Sequence, residues 1–198
     1  MQNPNLFFST PVWASKIDNY KETNEEIYNY IKELNRINQS GIKKSNVLGW
    51  HSNVFNMNDK EPKKFIELIS PYINQMLIDM DWDLSKQSTK ISSMWSIINK
   101  GGASNSKHHH GNSSISAAYY VRAPENSGNI VFYDPRPAPI YFHPLSKKPN
   151  NLNAMVNSIT PKEGVLVLFP SYLEHSVDEN LSDEERIVIS FNISLILN

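Results

Sequence analysis

His108 and His110 stand two residues apart, and a third histidine, His175, follows far along the chain. In an extended segment, positions i and i+2 project to the same side. Two imidazoles so placed, joined by one from a distant strand, can form one face of a site for iron, zinc, copper or manganese. His109 lies between the pair and should point the other way. Arg186 comes eleven residues after His175. Its planar fork matches a carboxylate at two points and can hold an anionic co-substrate beside the metal. The plainer reading of the same residues is a polar, His-rich loop and an arginine paired at the surface with Glu184 or Glu185.

The remaining histidines and nearby carboxylates are weaker candidates. His51, beside Trp50, and His143 read as packing or surface residues. Asp134 and Arg136 read as a turn with a local ion pair, or as part of a substrate entrance. Glu174 should face away from His175 and is not counted as a ligand.

These residues need strands to hold them, and the chain changes period about midway to supply them. Residues 6–17 read as an opening strand. Thr23 and Glu26 have the spacing of a capping box, and Ile27, Tyr30, Ile31 and Leu34 follow at helical spacing. A helix is therefore expected over 24–38. Residues 41–57 look irregular, with a short strand around Trp50. Pro62 suits a first helical turn. Phe65, Leu68, Ile69, Ile73, Met76, Leu77 and Met80 continue a helix that Pro71 should kink or divide.

From residue 89 onward the pattern is β. Strands are expected over 90–99, 114–122, 129–133, 139–143, 155–159, 164–170, 175–179 and 186–195, separated by clusters of Pro, Gly, Asn and Ser. Two helices followed by eight short strands predict a mainly β (α+β) fold. The expected form is a double-stranded β-helix, or jelly roll, with the N-terminal helices packed outside. The chain reads as one domain over 1–198, with helical support in 1–88 and a jelly-roll core in 89–198.

The last strand alternates informatively. Ile187, Ile189, Phe191 and Ile193 form a core face. Arg186, Val188, Ser190 and Asn192 form the other face, which suits the inside of a barrel holding a polar ligand. Ser116, Ala118 and Tyr120 repeat that mixed face. Strands 175–179 and 186–192 read as a hairpin, which would set His175 close to opposite Arg186. His175 itself should begin a strand at the mouth of the barrel.

Composition excludes several classes. The 198 residues carry 19 basic and 20 acidic side chains, for a net charge of −1, and no cysteine. Nothing steers the surface towards nucleic acid or an anionic membrane. Disulfides and thiolate ligands are excluded. No apolar run reaches the roughly 18 residues of a membrane helix, and no signal peptide is visible. Cytoplasmic residence is the default. Oligomeric state is open, a homodimer included.

In combination, these residues resemble the 2-oxoglutarate/Fe(II) oxygenase family of marine phages and bacteria, a relative of the prolyl hydroxylases. Asn99, Asn105, His108, His110 and Ser113 match first, followed by Ser116, Tyr119, Tyr120 and Val121. Ser127, Gly128, Phe132, Asp134, Pro135 and Arg136 come next. The last block runs from Pro161 through Gly164, Phe169, Pro170, His175 and Arg186 to Ser190 and Asn192. The match is close over 95–193.

The resemblance implies a jelly roll that binds Fe(II) and 2-oxoglutarate and uses O₂ to oxidise an unidentified substrate, most simply by hydroxylation. The prime substrate would be a protein side chain, such as proline, or a small molecule. His108, His110 and His175 would hold the metal, and Arg186 would pair with the far carboxylate of 2-oxoglutarate. Tyr120 and Ser116 match positions that hydrogen-bond that carboxylate in the prolyl-hydroxylase relatives. Ser190 and Asn192 would assist, and Asn99 is a weaker candidate. The wider superfamily has Asp or Glu where this chain has His110. That departure leaves the metal's charge uncancelled by its ligands and keeps metals other than iron open. The alternatives are a non-catalytic, cupin-like metal-binding module and a hydrolase using metal-bound hydroxide. The hydrolase lacks an obvious carboxylate base.

Overall fold

The computed structural model describes residues 4–137 and 144–198. Its elements in chain order are β1 (Trp13–Lys16), α1 (Tyr20–Ile37), β2 (Asn46–Val47), β3 (Trp50–His51), α2 (Lys60–Asp79), β4 (Gln87–Asn99) and β5 (Ser104–His108). These are followed by β6 (Ile115–Arg122), β7 (Ile130–Tyr133), β8 (Val156–Ile159), β9 (Val165–Pro170), β10 (His175–Val177) and β11 (Arg186–Leu197). The expected strand at 139–143, and His143 with it, lie outside the described residues.

Two antiparallel sheets face each other. One has the order β1-β9-β6-β11-β4-β3, the other β2-β5-β10-β7-β8. This is the expected jelly roll, and strand alternation explains how its layers form. Ile187, Ile189, Phe191 and Ile193 of β11 are buried with Ile115, Ala117, Tyr119 and Val121 of β6. They pack against Ile27 and Ile31 of α1 and Phe65, Ile69, Ile73 and Met76 of α2. The helices thus cover the outer face of the larger sheet. The opposite face, with Ala118, Tyr120, Val167, Phe169 and Val188, turns between the sheets and meets Ile130, Phe132 and Leu173. Strand β6 is therefore buried on both faces, which its near-continuous apolar sequence reflects.

Several expectations need correction. The opening strand is only Trp13–Lys16, paired with β9. Phe7 and Phe8 ahead of it are exposed, and Phe8 has φ of 59°. Helix α1 starts at Tyr20, not at 24, so Thr23 is a buried helical residue and no capping box forms. Tertiary packing sets that start. Lys16 sits 4.0 Å over the Tyr20 ring, and Asn24 donates to the Val121 carbonyl while accepting from the Tyr119 hydroxyl. Pro71 does not divide α2. It removes one bond to the Glu67 carbonyl, on an exposed residue where water can replace it.

The largest correction concerns β10 and β11, which are not a hairpin. β10 pairs with β5 and β7, whereas β11 pairs with β4 and β6 in the other sheet. The connection over 178–185 crosses between the sheets. Buried Asn180 holds it, donating to the carbonyls of Asn99 and Glu184 and accepting from the Ser182 amide. His175 and Arg186 reach the same interior from opposite walls.

Candidate metal centre

Strand pairing assembles the three histidines. His108 ends β5 and is the register partner of His175, which begins β10. His110 follows the end of β5, and its amide donates to the Ser171 carbonyl at 2.9 Å. The ring centroids are 4.3 Å apart for His108 and His175, and 5.2 Å for each pair with His110. One ligand nitrogen from each ring lies within 4.8 Å of the others. His109 is exposed and outside this cluster.

The rings are oriented for a metal. His108 Nδ1 lies 2.7 Å from the Ser106 carbonyl, and His175 Nδ1 lies 3.0 Å from the Leu173 carbonyl. A carbonyl can only accept, so each Nδ1 carries the proton and Nε2 is left free. Burial pushes the His175 imidazole down to about 3 and that of His110 to about 4, and it lowers His108 as well. All three are neutral at pH 7, as metal ligands must be. Phe169 packs edge-on against His175 at 4.7 Å. Glu174 turns away and pairs with Lys107 at 2.5 Å.

A cavity of about 690 Å³ opens beside the triad, and Arg186 lies at its wall. Arg186 is 1 % exposed and makes no ion pair with Glu184 or Glu185; Glu185 pairs instead with Lys32. Its Nη1 donates to the carbonyls of Ser127, Gly128 and Asp178. Its Nη2 is buried with no partner. Burial pulls the guanidinium down to about 10, partly offset by the nearby Tyr120 and Asp178. A buried cation that lacks a carboxylate costs several kcal/mol. A bound carboxylate would satisfy both the charge and the orphan donor.

Gly128 makes this cradle possible. Its φ is +85°, and a Cβ there would lie 2.8 Å from Arg186 Nη1 and 2.3 Å from the Asp178 carbonyl oxygen.

The other expected residues fall into two groups. Tyr120, Ser190, Asn192 and Asn99 line the cavity. Ser116 sits behind that wall, bonded to Ser171 Oγ at 2.8 Å and to Asn192 Oδ1 at 3.0 Å. Asn192 lines the cavity beside His110, so Ser116 steadies a neighbour of the triad. Asp134 and Arg136 form the expected local ion pair at 2.7 Å. They line a separate groove, away from the triad.

His51 is the residue that sequence reasoning missed. It is buried, lines the cavity and stacks on Trp95 at 5.7 Å, and Trp95 stacks on His110 at 5.7 Å. A signal existed in the pairing of a short strand at Trp50 with the β4 edge. The irregular polar sequence around it hid which way the imidazole turns.

The residues fit a metal and an α-keto diacid. The donor set is three neutral imidazoles held on one side of a cavity, and the orphan guanidinium donor waits at its wall. Comparisons with known proteins agree. Residues 93–192 match the family model described as "Putative 2OG-Fe(II) oxygenase". The fold is similar to that of a Pseudomonas putida prolyl-4-hydroxylase, with 10% identity, a TM-score of 0.66, and coverage of 94% of this chain and 93% of the other. It is similar to a viral collagen prolyl hydroxylase from Paramecium Bursaria Chlorella virus-1 in its 2-oxoglutarate complex, with 14% identity, a TM-score of 0.62, and coverage of 94% and 96%. It is also similar to HygX from Streptomyces hygroscopicus with nickel and 2-oxoglutarate bound, with 9% identity, a TM-score of 0.62, and coverage of 93% and 83%. No curated protein matches the chain. No helix among the described residues is long and apolar enough to cross a membrane.

Proposed function

The chain belongs to the 2OG-Fe(II) oxygenase family, and from that premise we propose which residues do its work. The protein is an oxygenase that uses Fe(II) and 2-oxoglutarate. His108, His110 and His175 hold the metal through Nε2 of the two rings whose Nδ1 is tied to backbone carbonyl, and through the third ring, whose backbone is anchored on the Ser171 carbonyl. Arg186 receives the far carboxylate of 2-oxoglutarate on Nη2. Tyr120, buried beside it with its hydroxyl held protonated by burial, donates to the same carboxylate. Ser190 borders the path between Arg186 and the triad on the inward face of β11. Ser116 acts behind that wall by holding Asn192.

When bound, Fe(II) and 2-oxoglutarate supply an oxidation by O₂ coupled to decarboxylation, with succinate and CO₂ as co-products. The chain's residues orient the co-substrate, keep the triad neutral and wall the reacting centre with Phe169, Val188 and Trp95. The product we expect is a hydroxylated prime substrate, either a protein side chain or a small molecule.

The unpartnered Arg186 Nη2 carries this reading. A closed structural metal site, as in a non-catalytic cupin-like module, has no use for a buried carboxylate clamp on a neighbouring wall. The test is succinate formation from 2-oxoglutarate with Fe(II) and O₂. Wild-type protein should turn over slowly without a prime substrate, while His175→Ala and Arg186→Ala should fall to background. Equal turnover in wild type and both variants would overturn the assignment of residues.

A further inference from the structure

The cavity lining carries basic side chains and no acidic one among the described residues. Arg186 stands at its inner wall, and Lys44 and Lys107 line it as well. 2-Oxoglutarate is a dianion, so with a divalent metal and Arg186 the inner cavity holds one positive charge in excess. A carboxylate ligand would cancel it, but this triad has His110 in that place.

The two lysines differ. Lys107 is neutralised by Glu174 at 2.5 Å and lies 4.5 Å from the centre of the Tyr133 ring. Lys44 has no ion-pair partner among the described residues. It stands near His51, whose imidazole is held below its ordinary range by burial and, to a lesser degree, by the Lys44 charge.

The wall between Lys44 and the metal triad is flat and aromatic. His51, Trp95 and His110 form a run of near-parallel rings, with interplanar angles of 7° and 19°. Trp95 Nε1 is buried without a partner. His51 Nδ1 is committed to the Ser52 carbonyl at 2.7 Å, which leaves Nε2 as its one free nitrogen. The wall offers aromatic surface, and the free cation stands at the end of the run away from the triad.

We infer that the prime substrate carries a carboxylate, seated against Lys44 beside His51, with its body lying along Trp95 towards the metal triad. The substrate then supplies the negative charge that the ligand set lacks. This rests on reading the cavity as the catalytic pocket, and it adds the chemical class of the substrate. It disfavours cationic substrates, which would meet Lys44 and the excess charge without any acidic residue to receive them.

The test uses a charge series of one length: hexanoate, hexanamide and hexylammonium. Each is titrated calorimetrically into the anaerobic Fe(II) and 2-oxoglutarate form, and again into metal-free protein. Hexanoate should bind at least about fivefold tighter than hexanamide, and hexylammonium weakest. Lys44→Gln should remove most of the preference and Lys44→Arg should keep it, while Lys107→Gln should leave most of it. Three outcomes would overturn the inference: no tighter binding of hexanoate than of its two partners, a preference undiminished in Lys44→Gln, or displacement of 2-oxoglutarate by hexanoate at the Arg186 end. The same titrations report 2-oxoglutarate binding directly. Its failure would count against the catalytic reading alone, because Lys44, His51 and Trp95 are present in either form.

Discussion

His108 and His175 are direct register partners across β5 and β10, with ring centroids 4.3 Å apart. A register is a discrete property: slipping one strand by one residue turns its side chain to the other face. Two of the three proposed ligands are therefore set by sheet pairing, and the third, His110, is held just beyond β5 by its amide on the Ser171 carbonyl. The His175 backbone is also paired with Phe132 of β7, so it is held from both sides.

Metal affinity should follow that geometry. Alanine at His108, His110 or His175 should weaken Fe(II) binding by more than about 100-fold, beyond the range typical of losing an outer partner of a ligand. Anaerobic titration measures it, with far-ultraviolet circular dichroism as the folding control. Wild-type affinity in all three variants would remove the triad.

The co-substrate clamp makes a separate prediction. Arg186→Ala should weaken 2-oxoglutarate binding by on the order of 2–5 kcal/mol, the usual cost of truncating a buried, hydrogen-bonded charge pair. Arg186→Lys keeps a charge but loses the fork, so it should fall between the two. Thermal stabilisation by added 2-oxoglutarate, which reports binding by mass action, should shrink in the same order. Equal stabilisation of all three proteins would sink the role.

What was legible in the sequence, and what was not, follows from the range of the interactions. The two faces of β11 were legible because Ile187, Ile189, Phe191 and Ile193 keep strict period two, and one buried face fixes the phase. β5 was not legible: Ser104–His108 is polar, and its strand exists through pairing with β2 and β10. The start of α1 differs from the expected one because Tyr20 packs against Gly164 and Asn24 bonds to Val121 and Tyr119, all distant in sequence, whereas the Thr23 and Glu26 pattern is purely local. The shared site of His175 and Arg186 was expected from a hairpin, yet it arises from two facing sheets. Short separation along the chain favours pairing, but a jelly roll winds successive strands into opposite walls.

Gly128 tests the Arg186 cradle without substituting the arginine. Gly128→Ala adds a Cβ within 2.8 Å of Nη1 and 2.3 Å of the Asp178 carbonyl oxygen, at φ of +85°. The strain should cost about 1–3 kcal/mol of stability. It should also weaken 2-oxoglutarate more than Fe(II), because the triad lies on other strands. Denaturant unfolding and paired titrations separate the two effects. An equal loss of both ligands would point to general unfolding of the site.

The register can be checked by moving one chemical change along the strand. His110→Asp introduces the carboxylate that the wider superfamily carries, at a position whose ring already belongs to the metal cluster. The shorter side chain reaches less far, so Fe(II) affinity should fall but persist, since oxygen ligands also suit Fe(II). His109→Asp makes the same change one residue earlier, on an exposed side chain outside the cluster. It should leave Fe(II) binding and 2-oxoglutarate decarboxylation nearly unchanged. The two variants share composition and net charge, so only side-chain direction separates them. Loss of metal in the His109 variant with retention in the His110 variant would require the site to be rebuilt around His109. The His110 variant also bears on the anionic-substrate inference. Its added carboxylate cancels the excess charge, so the preference for hexanoate over hexanamide should narrow there, and narrow less in His109→Asp, whose carboxylate would stand at the cavity wall but outside the metal cluster.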